Sequence, residues 1–330
     1  MPKALISRAR LQSLIDTPAR AHTRIAVLGD AMLDIYLRGD VDRISPEAPV
    51  PVVRVRDRKH ALGGAANVAQ NAAALGARAE LVAALGDDAA GAQLRAMLIA
   101  LGADPRGLIT TARPTTTKTR VVARGQQVVR VDEEVDADLE GDEVEALFAA
   151  VDRAVSEADA LVLEDYNKGV LIESVIRRAV AAANKRGIPV VVDPKYRNFF
   201  AYAGATVFKP NRRELEAALG AAVDLEHPEA LPAVLKRLGA ERLLLTLSER
   251  GMALIEPDGS IHRIPTTARE VFDVVGAGDT VTAWLAAMLA VGATPLEAAV
   301  IANYAAGVEV GKAGAATVSP AEILAAYDAS

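Results

Sequence analysis

Short runs rich in valine, isoleucine and leucine alternate with alanine-rich stretches of helical period along most of this 330-residue chain. Strands are expected at Arg24–Leu28, Glu80–Leu85, Ala160–Glu164, Pro189–Asp193, Thr206–Lys209 and Leu243–Leu247. Helices are expected at Ala65–Leu75, Gly91–Leu101, Gly141–Ser156, Ile172–Arg186, Arg212–Leu219, Glu229–Leu238, Gly278–Val291 and Pro295–Val310. This alternation predicts βαβ units, and therefore an α/β fold with a mainly parallel sheet. Half the residues are hydrophobic but only 4% are aromatic, so the core is built from Ala, Val and Leu. Helices packed on a parallel sheet suit that composition. One domain over residues 1–330 is the expected organisation.

Polar groups follow several of these strands: Gly29-Asp30 with Asp34 just beyond, Glu164-Asp165, Asp193-Pro194-Lys195, Lys209-Pro210-Asn211 and Ser248-Glu249. Ligands of open parallel sheets bind outside the carboxyl ends of the strands, so these five clusters predict one site. Two segments depart from the pattern. Asp40 to Lys59 and Thr116 to Glu133 have a two-residue rhythm with many arginines, and they read as antiparallel strands. A small β lid within residues 35–60 and 112–134 follows, with one face over the site. Its other face and its edges need covering, which predicts a homodimer joined through the lids.

Net charge is −6, from 37 basic and 43 acidic residues, which gives no broad footprint for nucleic acid. Without cysteine there is neither a disulfide framework nor thiolate chemistry. Met1 to Arg20 reads as a mildly basic surface helix without the apolar core of a secretory signal. The longest uncharged run, Thr280 to Leu296, is short for a membrane span and is broken by Gly292 and Pro295. A cytoplasmic protein without membrane partners is expected.

Residues 271–280 read Val-Phe-Asp-Val-Val-Gly-Ala-Gly-Asp-Thr and run directly into the apolar stretch Val281 to Val291. Gly276 and Gly278 open a helix, and Asp279 sits in its first turn. The first N–H groups of a helix lack internal partners and hold anions, phosphates included. An acid at such an end suits a base that takes a proton from a hydroxyl attacking the held phosphate. An ordinary turn followed by an N-terminal helix charge would use the same residues. Gly63-Gly64-Ala65-Ala66-Asn67 opens another helix, where a polyol could lie against the glycines and Asn67. Asp34 could accept from two hydroxyls, or could be a turn aspartate. Asn211 to Glu214 has the spacing of a capping box, and the same oxygens could hold the water shell of a magnesium ion. Thr246, Ser248 and Gly251 form a strand end and turn. P-loop, dinucleotide and protein-kinase signatures are absent.

The pairing of Gly63-Gly64-Ala65-Ala66-Asn67 with Asp273-Val274-Val275-Gly276-Ala277-Gly278-Asp279-Thr280 resembles the ribokinase-like (PfkB) carbohydrate kinases, from about Arg24 onward. The strings Gly29 to Asp34, Arg43 to Val52, Glu164 to Val170 and Val192 to Lys195 are most similar to the members acting on D-glycero-β-D-manno-heptose 7-phosphate. The resemblance implies a three-layer α/β/α fold and ATP-dependent phosphorylation of the anomeric hydroxyl, feeding ADP-heptose and lipopolysaccharide core synthesis. It implies Asp279 as base, with the N–H groups of Gly276, Ala277 and Gly278 around the phosphoryl group. It assigns Asp34, Gly63, Gly64, Asn67 and Glu164 to the sugar, and Lys195 with Arg120 or Arg124 to the substrate's own phosphate. Thr246, Ser248, Gly251 and Asn303 fall to the nucleotide, Asn211 and Glu214 to water-shelled Mg²⁺, and Asp273 to K⁺. Val275 departs from the family's usual threonine. No H-x-G-H string occurs, so the kinase unit alone is expected. A kinase for another sugar, sugar phosphate or nucleoside, or a silent sugar-binding regulator, would share many of these residues.

Overall fold

The computed structural model describes residues 5–330, so Met1–Ala4 of the expected N-terminal helix lie outside it. Over those residues, thirteen strands form two sheets. The larger contains β1 (Arg24–Gly29), β4 (Arg78–Gly86), β5 (Leu108–Thr111), β8 (Ala160–Glu164), β9 (Val190–Asp193), β10 (Val207–Phe208), β11 (Arg242–Thr246), β12 (Met252–Ile255) and β13 (Ile261–Ile264). Their spatial order is β13-β12-β11-β10-β9-β8-β1-β4-β5. Pairing is parallel from β5 through to β11, and β12 and β13 add an antiparallel edge.

Side-chain alternation along the strands divides the core. Ile25 and Val27 of β1 join one apolar cluster with α1 (Arg8–Arg20), α2 (Ala65–Ala74), α8 (Ala277–Ala290), α9 (Pro295–Glu309) and α10 (Pro320–Asp328). Ala26 and Leu28 join the other with α4 (Asp142–Glu157), α5 (Glu173–Arg186), α6 (Arg212–Leu219) and α7 (Leu231–Leu238). Successive strand residues point to opposite faces, so both faces of a buried strand need apolar cover. The result is the expected three-layer α/β/α arrangement. α3 (Ala89–Ala100) packs Leu94 and Leu98 into the first cluster. Helix α8 is buried from Asp279 to Met288, hence its continuous apolar composition.

The second sheet has the order β3-β2-β6-β7, from β2 (Ala31–Ile44), β3 (Pro51–Gly64), β6 (Thr117–Ala123) and β7 (Gln126–Glu133). Each hairpin is antiparallel, as the two-residue rhythm predicts, but the hairpins join through a parallel β2–β6 pair. β2 begins two residues after β1 ends, so Asp34 lies inside a strand, not in a turn. The elements β5, β12, β13 and α10 have no counterpart among those expected. α7 begins at Leu231, two residues late, after a short tight turn at Pro228–Ala230.

Candidate active site

Gly276 caps α8 at φ 94°, a left-handed conformation that favours glycine. A Cβ there would sit 3.0 Å from Nδ2 of Asn67. The turn brings Asp279 into the first turn of α8, 5% exposed, against α2. Nδ2 of Asn67 donates to Oδ2 of Asp279 at 2.7 Å, and the Tyr166 hydroxyl donates to Oδ1 at 2.9 Å. Burial pushes the Asp279 carboxyl up to about 6 against these two donors, which pull it down. Neighbouring Asp193 pushes the same way as burial.

Tyr166 is held by the residue immediately after β1. The buried Asp30 carboxylate accepts from the backbone N–H groups of Tyr166 at 2.8 Å, Lys168 at 2.9 Å and Val170 at 3.2 Å. The loop after β8 is thus tied to the end of β1, and the tyrosine ring is aimed at α8.

Glu164, Asp193 and Asp279 place carboxylate oxygens within 4.8 Å of one another, all buried. Neither oxygen of Glu164 has a hydrogen-bond partner, and burial raises its carboxyl well above the usual range, with Asp193 and Asp279 adding to the effect. Lys209 donates to Asp193 at 2.7 Å. Burial pulls the lysine's affinity for its proton down, but Asp193 and Glu164 outweigh it, so Lys209 stays charged. Lys209 and Lys195 are the cations that act on these acids, and Lys209 is hydrogen-bonded to one of them.

A cavity of about 690 Å³ opens on one side of Asp279. It is lined by Asn211, Glu214, Thr246, Ser248, Gly251, Asn303 and Gly276 to Asp279, which brings the expected nucleotide residues to one place. Asn303 is fixed by donating to the Pro265 carbonyl at 2.9 Å. Asn211 and Glu214 form the predicted capping box, and the other Glu214 oxygen accepts from Lys195 at 2.5 Å. Lys195 therefore lines this same cavity, with its ammonium 5.2 Å from the Tyr166 ring centre.

Asp34, Gly63, Gly64 and Asn67 gather on the other side. A Cβ on Gly63 would lie 2.7 Å from the Asp34 carboxylate. Arg120 is brought there too, in an ion pair with Asp34. Arg124 is not: it occupies the β6–β7 turn at φ 51° and donates to the Val41 carbonyl at 3.0 Å. Asp273 accepts from the N–H groups of Val275 and Gly314, both at 3.1 Å.

Asp30, Asp193 and Lys209, expected at the site from the strand-end clusters but given no individual role, carry it together with Tyr166. All four lie just past a strand's carboxyl end or at its last residue, the signal that had already pointed to three of them.

The pfkB family carbohydrate kinase model matches residues 22–322. The chain belongs to the pfkB family of carbohydrate kinases. Among the chain's relatives is the bifunctional protein HldE of Gluconacetobacter diazotrophicus, 47% identical over 308 residues, covering 92% of this chain and 64% of that protein. The protein of the same name from Rhodospirillum rubrum is 45% identical over 315 residues, covering 93% and 62%. The chain thus spans a little under two thirds of these relatives' length. Ribokinase from Arabidopsis thaliana, solved with ribose and ATP, shares the fold at a TM-score of 0.72 and 22% identity, over 92% of this chain and 98% of that one. Phosphofructokinase-2 from Escherichia coli, solved with potassium, does so at 0.74 and 21%, over 93% and 98%. No helix among the described residues is long and apolar enough to cross a membrane.

Proposed function

We propose that this kinase transfers the γ-phosphoryl group of ATP to the anomeric hydroxyl of D-glycero-β-D-manno-heptose 7-phosphate, giving the 1,7-bisphosphate for ADP-heptose and lipopolysaccharide core synthesis. The position of Asp279 carries the reading. It is a buried carboxylate between the side lined by Asp34, Gly63, Gly64 and Asn67 and a cavity of about 690 Å³, at a helix end suited to phosphate. The motif strings and the HldE relatives favour the heptose.

The sugar rests on Gly63 and Gly64 with its hydroxyls toward Asp34. Its anomeric hydroxyl gives its proton to Asp279 while that oxygen bonds the γ-phosphorus. The bond from the γ-phosphorus to the bridging oxygen breaks, and ADP leaves. The α8 N–H groups near Gly276 to Gly278, with Lys209 and Lys195 nearby, hold the charge on the transferring group. The proton then passes from Asp279 to water.

Magnesium would neutralise the nucleotide phosphates. The buried cluster of Glu164, Asp193 and Asp279 suits a cation with its unpartnered Glu164 oxygens, while Asn211 and Glu214 are left to hold its waters. A potassium ion fits beside Asp273. Glu309 is wholly buried there, its carboxyl pushed up to about 8 by burial, against a backbone N–H at Ala316 and with Asp273 and Asp279 adding to the rise.

The four-stranded sheet acts as the lid, and its outer face meets a second copy of the chain. Val129 and Val131 are half exposed on the face opposite Asp34 and Arg120. ADP release measured with heptose 7-phosphate, fructose 6-phosphate and ribose tests the substrate. The heptose phosphate should give the highest kcat/KM, and turnover of ribose alone would refute the proposal.

A further inference from the structure

Neighbouring rungs of the small sheet carry different charge. Residues directly paired across strands share a face, so one rung on the site side reads Ala61, Asp34, Lys118 and Asp132. The next reads Lys59, Tyr36, Arg120 and Arg130. The first offers carboxylate acceptors, which suit hydroxyls. The second presents three cations around an aromatic ring, with the Arg120 guanidinium 5.4 Å from the centre of the Tyr36 ring.

Three of the cations here are already engaged, and Lys118, on the Asp34 rung, stands 5.8 Å from the centre of the Tyr166 ring. Arg120 pairs with Asp34, Arg130 with Asp132, and Lys195 with Glu214. Arg38, one rung beyond Tyr36, and Lys59 have no ion-pair partner among the described residues, although Asp57 lies opposite Arg38. Both line a separate cavity of about 410 Å³, together with Tyr36, Gln70 and the chain at Ala313 to Ala315. Gln70 is one helical turn from Asn67 and donates to it at 3.5 Å, so this cavity adjoins the sugar side of Asp279.

We propose that Lys59 and Arg38 form the subsite for the substrate's second phosphate, the ester that does not react. The proposal rests on the sugar-phosphate kinase reading above. With C1 at Asp279 and ring hydroxyls at Asp34, C7 is at the far end of the sugar. The Tyr36 rung is two residues farther along β2, about 7 Å. A dianion placed there meets two unpaired cations, and Arg120 stays free to orient Asp34. Arg120 already holds the buried Asp34 carboxylate, and Lys195 lines the cavity on the other side of Asp279, which makes both the poorer choices for this end of the sugar.

Lys59→Gln, Arg38→Gln and the double variant test this in the ADP-release assay, with heptose 7-phosphate and with the same sugar lacking its phosphate. Each single change should raise KM for the sugar phosphate about tenfold while KM for ATP moves less than about twofold, the scale of one lost charge-assisted hydrogen bond. The double variant should lose most of the wild-type preference for the phosphorylated sugar. Inorganic phosphate should compete with the sugar phosphate in the wild type and not in the double variant. Arg58→Gln, on the opposite face of β3, should change none of these. An unchanged preference in a double variant that melts like wild type would overturn the subsite, as would a wild type indifferent to the sugar's phosphate. If the wild type uses another sugar phosphate but not the heptose, the heptose reading fails. A lost preference in the double variant on that sugar would still support the subsite.

Discussion

Asn67 and Asp279, 212 positions apart in sequence, share a hydrogen bond of 2.7 Å that joins the first turns of α2 and α8. The two glycine-led motifs therefore meet at the carboxylate itself. Asn67 is bonded to the carboxylate proposed as the base, and Tyr166 completes the grip from the other side at 2.9 Å.

The pH profile follows from that grip. Burial holds the Asp279 carboxyl up to about 6, and Asn67 and Tyr166 pull against it. The base must be ionised to work, so kcat/KM should fall as pH drops through about 6. Tyr166→Phe removes one donor to the charged form and should move that acid limb to higher pH, by about half a unit to one unit. A limb that stays in place would show that the tyrosine does not tune the base.

Lys195 lies with Glu214 in the nucleotide cavity. Lys195→Ala should raise KM for ATP by about tenfold, the cost of one charge-assisted contact, and leave KM for the sugar nearly unchanged. Steady-state kinetics with each substrate varied in turn decides it. A selective rise in sugar KM would return Lys195 to the sugar's phosphate.

The lid predicts its own partner. Val131 is half exposed on the outer face of β7. An aspartate there would be desolvated in a lid–lid interface at a cost of roughly 1–3 kcal/mol or more. Light scattering should show a dimeric wild type and a weakened dimer for Val131→Asp. A wild type that is monomeric at micromolar concentration would contradict the interface.

Much of this was legible in the chain. Alternation located β1, β8, α5 and α6 closely, because buried parallel strands and amphipathic helices leave different periods. The short strands β12 and β13 and the last helix α10 were not. Four-residue runs such as Met252–Ile255 carry too little periodicity, and their pairing with β11 is decided by tertiary contact. The glycine motifs pointed to Asp279, since an acid at an anion-binding helix end is unusual. Tyr166 and Asp30 could not be read that way. Their roles come from a loop being tied to a distant strand, and sequence spacing does not encode that. Arg120 and Arg124 were equivalent by type, and only strand register separates them.

Asp279→Asn has a stability consequence with a definite sign. The folded carboxyl is raised to about 6 from 3.8, so the folded chain binds more protons than the unfolded one between those values. Stability then falls as pH rises through that window, and at neutral pH the ionised group is a net cost. Removing it should stabilise the fold, with a ceiling of about 3 kcal/mol for a rise from 3.8 to about 6. Thermal unfolding at pH 7.5 should place the variant at or above wild type. A marked drop in Tm would show that the carboxylate supports the fold.

The most direct measurement is kcat of Asp279→Asn with heptose 7-phosphate, taken beside ATP affinity by calorimetry on the same preparation. Asparagine keeps the shape and loses the proton acceptor. The account predicts a fall in kcat of about 10²–10⁴-fold with ATP affinity unchanged within about threefold. A variant that turns over at near wild-type rate would contradict Asp279 as the base.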